Sequence, residues 1–303
     1  MVEARNLHKT FGNVVAVDDL SLDVSSGEVV GLLGPNGAGK TTTIKMLTTL
    51  TSIEAGSASV GSFDVATEGD QVRGSIGLAG QSAAVDDKLT ARENLDLFAR
   101  LYHLPKPERK VRVEDLIERF RLTEFADQPA GTLSGGQHRR VDIVAALIAN
   151  PAAIFLDEPT TGLDPRSRGE IWEEIRMLAD EGAAVILTTQ YLDEADKLAD
   201  RIILIDNGRV VAEGSQADLK GQLDRDVLQI RVSDPSETER VLGVVGGAEA
   251  SVVDEQTVHV AVGNADKSLA VLDAIREVGV ELEDFSLTKP TLDDVFLAFT
   301  DAS

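Results

Sequence analysis

Residues 29–41 read Val29-Val30-Gly31-Leu32-Leu33-Gly34-Pro35-Asn36-Gly37-Ala38-Gly39-Lys40-Thr41. An apolar run feeds a glycine-rich loop, which delivers a lysine and a threonine to a helical pattern. Gly34, Gly37 and Gly39 allow the backbone to bend around phosphate oxygens with no Cβ in the way. The loop amides then point at the anion, and the start of the following helix reinforces them. Lys40 brings a positive charge within reach of β- and γ-phosphates, and Thr41 offers a hydroxyl to Mg²⁺. A glycine-rich turn matching by chance is the alternative. The strand before the loop and the helix predicted over residues 40–50 supply the context that a phosphate loop demands.

Two further stretches extend this reading. Ile154-Phe155-Leu156-Asp157-Glu158 is a buried-strand pattern ending in two acids. Asp157 is placed to orient Mg²⁺, directly or through water, and Glu158 to polarise an attacking water as general base. An acidic strand end at the surface is the plainer reading, but the upstream loop favours chemistry. Leu133-Ser134-Gly135-Gly136-Gln137 opens another helical pattern. Taken alone it is a helix cap, although glycines and a serine at a helix start also make an anion site. Together the three stretches point to ATP bound and hydrolysed between two copies of one fold.

Outward from these motifs the pattern alternates. Strands are predicted over residues 1–10, 20–24, 28–33, 152–156, 183–188, 201–206 and 209–212, the last two as a hairpin across Asn207-Gly208. Helices are predicted over residues 90–121, 136–150, 166–179 and 191–199. Thr90 and Glu93 form a capping box, and Pro105 and Pro107 split the first helical stretch in two. Alternating strands and helices imply an α/β fold with a mainly parallel sheet. After residue 219 the composition shifts, and a β-α-β-β-α-β order plus a last helix over 291–299 suggests a small ferredoxin-like α+β domain. The expected domains are 1–222, with a helical subdomain over about 85–150, and 223–303.

The 303 residues carry a net charge of -23, which repels duplex nucleic acid. Arg139-Arg140 and Glu108-Arg109-Lys110-Val111-Arg112 read as solvated helix faces rather than a basic patch. Ten lysines against nineteen arginines, with acid spread throughout, also fit a protein kept soluble at high salt. There is no cysteine, which excludes disulfides and Cys-ligated metal sites. No secretory signal is apparent at Met1-Val2-Glu3-Ala4-Arg5, and no run approaches the roughly 20 apolar residues of a membrane span. Any membrane role then requires a separate partner chain. Trp172 and Met46 and Met177 read as packing residues, and His8, His103, His138 and His259 lack metal-ligand spacing.

The motifs, in this order and spacing, resemble the ATP-binding-cassette (ABC) ATPases over residues 1 to about 220. The resemblance implies a P-loop NTPase domain with ATP and Mg²⁺ as its ligands. It places Phe11 against adenine and the phosphate loop at residues 34–42, Gly34-Pro35-Asn36-Gly37-Ala38-Gly39-Lys40-Thr41-Thr42. It makes Gln81 a magnesium-sensing residue that contacts the transport partner. It makes Ser134, Gly135, Gly136 and Gln137 a signature closing on the ATP of the opposite subunit. It assigns Asp157 to magnesium and Glu158 to catalysis, and Asp164, in Gly162-Leu163-Asp164-Pro165, to communication across the dimer. One departure stands out: where the family carries a histidine that contacts the γ-phosphate, this chain has Gln190. An amide donates a hydrogen bond but cannot become cationic.

Thr188-Thr189-Gln190-Tyr191-Leu192, Leu78-Ala79-Gly80-Gln81-Ser82-Ala83-Ala84-Val85-Asp86 and Thr291-Leu292-Asp293-Asp294-Val295-Phe296-Leu297 are similar to the daunorubicin/doxorubicin-resistance type of exporter ATPase. That implies an ATPase subunit energising efflux of drugs or other hydrophobic compounds. The expected partners are a transmembrane permease, with helices near residues 81–104 passing on the motion, and a homodimeric or paired cassette. The expected place is the cytoplasmic face of the membrane, with no nucleic-acid partner. A non-transport cassette ATPase acting on nucleic acid or the ribosome is the alternative. It usually has a coiled-coil insertion or two cassettes in one chain, and neither is found here.

Overall fold

The computed structural model describes residues 1–81, 83–223, 226–245, 250–263 and 265–300. Two compact units divide the chain, Met1–Ser215 and Gln216–Ser303.

The first unit is built on strands whose residues are apolar on both faces, as a sheet covered on two sides requires. Strands β1 (Val2–Phe11) and β2 (Val14–Val24) form a hairpin, and β3 (Val29–Leu33) leads into α1 (Lys40–Leu47). Then follow β4 (Ala55–Val60), β5 (Phe63–Asp64), α2 (Gly69–Ser75) and β6 (Ile76–Ala79). Three helices come next, α3 (Ala91–Leu101), α4 (Lys106–Arg119) and α5 (Gly135–Ala146). The unit closes with β7 (Ala153–Asp157), α6 (Pro165–Asp180), β8 (Ala184–Thr189), α7 (Leu192–Leu198), β9 (Arg201–Asp206) and β10 (Arg209–Gly214).

A six-stranded sheet runs β10-β9-β3-β8-β7-β6. Its pairings are parallel except for the β9–β10 hairpin. That hairpin turns on Asn207 and Gly208, both at positive φ, as a two-residue primed turn needs. A separate antiparallel sheet runs β2-β1-β4-β5. Alternate residues of the parallel strands enter different cores. Val30, Leu32, Phe155 and Ile186 pack with Ile44, Met46 and Leu47 of α1 and with Leu7 and Leu20 of the antiparallel sheet. Val29, Ile154, Leu156, Val185 and Leu187 pack with Leu95, Leu116, Ile143 and Ile175 of the helical layer.

The capping box at Thr90 and Glu93 is present, and Pro105 caps α4. Helix α1 is shorter than its apolar spacing predicts. It stops at Thr48, whose hydroxyl donates to Ile44 O (2.8 Å), and Thr49 follows at φ 63°. The small elements β4 to β6 carry too little apolar alternation to be read from sequence, since Ala55–Val60 is Ala-Gly-Ser-Ala-Ser-Val.

The second unit comprises α8 (Gln216–Gln222), β11 (Asp226–Val232), α9 (Thr238–Val245), β12 (Ala250–Val252), β13 (Thr257–Val262), α10 (Ala265–Glu277), β14 (Leu282–Thr288) and α11 (Leu292–Thr300). Its sheet, β12-β13-β11-β14, is antiparallel throughout. Val241 of α9 and Ile275 of α10 pack on Leu228, Ile230, Val258 and Val260. This is the β-α-β-β-α-β arrangement plus a helix. Helix α8, which the sequence groups with the first domain, lies with the second unit. The start of α11 is fixed by Asp294, which accepts from Thr291 N (2.7 Å) and pairs with His259 Nδ1 (2.9 Å).

Candidate functional site

Strands β3, β8 and β7 are adjacent and parallel, so their carboxyl ends lie together, where open α/β sheets place their ligands. The loop after β3 is the glycine-rich one. Pro35, Asn36 and Gly37 are exposed, whereas Gly34, Ala38, Gly39 and Lys40 are buried. Gly39 sits at φ 110°, and a Cβ there would overlap the Ala16 carbonyl oxygen of β2, so no other residue fits. Lys40 Nζ donates to Gly34 O (2.7 Å) and Pro35 O (3.0 Å), curling back over the loop. Burial pushes its ammonium below the ordinary lysine range, against the opposing charges of Glu158 and Asp157.

Asp157 is the last residue of β7 and is buried. Its Oδ1 accepts from Thr41 Oγ1 (3.1 Å) and from Thr188 Oγ1 (2.6 Å). Glu158 then takes a left-handed φ of 50°, rare outside glycine, held by its amide donating to Thr188 O (3.1 Å) and Thr188 Oγ1 (3.0 Å). The turn is therefore braced by β8. The sequence reading used Thr188 only within the stretch 188–192 and gave it no contact with the acid pair. The signal was a hydroxyl at the end of an otherwise aliphatic buried strand.

Gln81 and Glu158 line one cleft of about 570 Å³, together with Gly135, His138, Arg139 and Leu163. Ser82 lies outside the described residues. Ser134, Gly136, Gln137 and Asp164 line a second cleft of about 770 Å³ with Arg140, Ser167 and Glu170. Neither cleft includes residues 34–42. Ser134 caps α5: its Oγ accepts from Gln137 N (3.3 Å) and its amide donates to Gln137 Oε1 (3.0 Å). Gln137 is thus occupied within its own turn, and the amides of Gly135 and Gly136 head the helix. A Cβ on Gly136 would overlap Ser167 of α6, so this glycine also serves packing within the chain. Ser134 and Gly135 are exposed.

Asp164 caps α6, accepting from the amides of Arg166 and Ser167 (3.0 Å each). Its carboxyl is lowered chiefly by the Ser167 hydroxyl, which donates to Oδ2 (2.6 Å). Gln190 follows β8 and is exposed. Phe11 ends β1 and is 52 % exposed, with Lys9 Nζ 5.5 Å from its ring centre. Thr42 is half-buried in the first turn of α1. The chain therefore brings together Lys40, Thr41, Asp157 and Glu158, and keeps Ser134, Gly136 and Gln137 in a separate cleft.

One expectation is corrected. Arg139 and Arg140 are not on a solvated face: their side chains are 11 % and 12 % exposed. Arg140 pairs with Glu170 and lies 2.7 Å from Glu174 Oε1. They were misread because arginines exposed and arginines inserted between helices look alike in sequence. Trp172 does pack on the core, and its Nε1 also donates to Glu194 Oε1 (3.0 Å), a fully buried carboxyl that Thr160 Oγ1 reaches too (2.9 Å). Burial raises Glu194 above the ordinary glutamate range.

A glycine loop on β3, an acid pair closing β7 and a serine-capped, glycine-headed helix whose clefts exclude that loop define the ATP-binding cassettes. The family described as ABC transporter matches residues 17–161, and the DrrA1-3-like ATP-binding protein C-terminal domain matches residues 214–300. The chain belongs to the daunorubicin/doxorubicin-resistance ATP-binding proteins of the ABC transporter family. It is 46 % identical to the daunorubicin resistance ATP-binding protein DrrA2 of Streptomyces coeruleorubidus, covering 99 % of this chain and 94 % of that protein. It is 37 % identical to the Nod factor export ATP-binding protein I of Sinorhizobium fredii, covering 99 % and 85 %. Among solved structures, an ATP-binding subunit of an ABC transporter is similar at a TM-score of 0.66 and 30 % identity, over 73 % of this chain and 92 % of that one. A dimeric cassette in a post-hydrolysis state bound to ADP and Pi is similar at 0.64 and 28 %, over 71 % and 98 %. The chain is an ATP-hydrolysing subunit of an ABC transporter. No helix among the described residues is long and apolar enough to cross a membrane.

Proposed function

We propose that this subunit powers export of drug-like hydrophobic compounds through a separate permease, working at the membrane surface. The names of its relatives, which confer daunorubicin or doxorubicin resistance or export Nod factor, support an exported cargo. In this reading the loop 34–42 and Lys40 hold the triphosphate of ATP and Phe11 faces adenine. Mg²⁺ fits beside Thr41 and Asp157, whose oxygens lie 3.1 Å apart, a hard-oxygen pair of the kind that ion takes while keeping several waters. When bound it would neutralise charge on the phosphates. Glu158 is the general base, Gln190 donates to the γ-phosphate, and Gln81 reports on the site to the permease.

The observation that carries the shared site is that the phosphate loop lies outside both clefts that the signature residues line. Lys40, Thr41 and Asp157 converge, while Ser134, Gly136 and Gln137 line a cleft without the phosphate loop. An exposed Ser134 and Gly135 suit the γ-phosphate held by a second copy, with Asp164 at the seam. Every residue named for this site belongs to the first unit, Met1–Ser215. No observation favours a nucleic-acid role.

Replacing Glu158 by Gln should leave MgATP binding within a few-fold and lower kcat by about 10²- to 10⁴-fold. It should also accumulate an ATP-bound dimer in size-exclusion chromatography. An ATP-loaded Glu158→Gln protein that stays monomeric at every concentration would sink the shared-site reading.

A further inference from the structure

Helix α5 carries Arg139 and Asp142 three residues apart, hence on one face, and that face is turned inward. The Asp142 side chain is 2 % exposed and the Arg139 side chain 11 %. Arg139 Nη1 donates to Asp142 Oδ2 (2.9 Å) and to Gly80 O (2.6 Å). Its Nε donates to Pro159 O (3.0 Å) and its Nη2 to Asp157 O (3.3 Å). Asp142 Oδ1 accepts from Ala84 N (2.7 Å). One ion pair thus holds the loop around Gln81 at both its ends, Gly80 and Ala84. The same pair holds the turn around Glu158 on both its flanks, Asp157 and Pro159.

A planar guanidinium with five donors can satisfy three carbonyls and a carboxylate at once, which an ammonium cannot. Burying such a pair is no route to stability in itself, since well-packed apolar residues serve as well. What it supplies here is a fixed relation between the two segments, which follow the paired strands β6 and β7. We propose that Arg139 and Asp142 are positioning residues that tie the loop bearing Gln81 to the turn bearing Glu158, so that displacing either displaces the other. The roles of Gln81 and Glu158 rest on the function proposed above, whereas the mechanical tie does not.

The test introduces a lesion at one end and reads the other. In the full chain, Asp142→Asn keeps shape and an acceptor for Ala84 N but removes the charge that orients Arg139. Amide exchange followed by mass spectrometry should quicken about tenfold in residues 157–162 as well as in 83–86. Arg139→Lys should quicken both segments and lower kcat about tenfold, with ATP affinity changed less than about threefold. The double variant should lose no more than the worse single one. Faster exchange confined to residues 83–86 in Asp142→Asn would overturn the tie. So would additive losses, or a kcat that falls only as far as the folded fraction measured by circular dichroism. Should the unaltered protein hydrolyse no ATP, the proposed function fails, and the exchange comparison still decides the tie.

Discussion

The most informative single residue is Gln190. It stands on the exposed turn after β8, where the resemblance calls for a histidine. A neutral amide has no titration between pH 5 and 8, whereas an imidazole changes charge near 6.5. The kcat profile of the natural protein should therefore show no step near pH 6.5 that depends on this position. Gln190→His should add one. Finding equal profiles for the two proteins would mean that residue 190 does not reach the phosphate. Lys40 and Asp157, by contrast, are buried: Lys40 Nζ donates to Gly34 O and Pro35 O, and Asp157 Oδ1 accepts from Thr41 and Thr188. Their places at the phosphate loop and at the end of β7 were legible in sequence from position along a motif. The brace at Thr188 was not, because it depends on β8 lying between β3 and β7.

At the scale of elements, the packing of α5 on α6 decides two outcomes. Gly136 has no room for a side chain beside Ser167. Gly136→Ala should lower stability by about 1–3 kcal/mol through overpacking, read as a shifted urea midpoint with an unchanged slope. An unshifted midpoint would show that the helices part easily there. Between the same helices, burial pushes the Glu174 carboxyl up to about 7, although Arg140 lies beside it. Its folded-state pKa is raised above the unfolded one, so the folded state holds the proton more tightly. That contribution is present below the unfolded pKa of 4.5 and fades as pH climbs to about 7. Glu174→Gln should thus raise the melting temperature at pH 8 and change it little at pH 4.5. The gain corresponds to at most ~3 kcal/mol, and Glu170 remains to pair Arg140. A variant less stable at pH 8 would show that the Arg140 pair outweighs burial.

For the whole molecule, charge is the main term. A net charge of -23 over 303 residues repels itself, and added salt screens it over about 10 Å at 0.1 M and 3 Å at 1 M. Raising potassium chloride from 0.1 to 1 M should increase the melting temperature by several degrees. A flat or falling curve would show that the many ion pairs, such as Arg201 with Glu28 at 2.8 Å, compensate the excess acid at low salt. What the sequence determined unaided was whatever is written in consecutive residues: the glycine loop between strand and helix, the capping box at Thr90, the Asn207-Gly208 hairpin and the order of elements from β11 to α11 in the second unit. Those features depend on local backbone preference and on periodicity. Tertiary structure alone decided that Thr41, Asp157 and Thr188 share one oxygen cluster, that Arg139 is buried between two loops, and that the signature lies apart from the phosphate loop. These depend on strand order and on which helix face turns inward, and residues 41, 157 and 188 meet only once the sheet has closed around them.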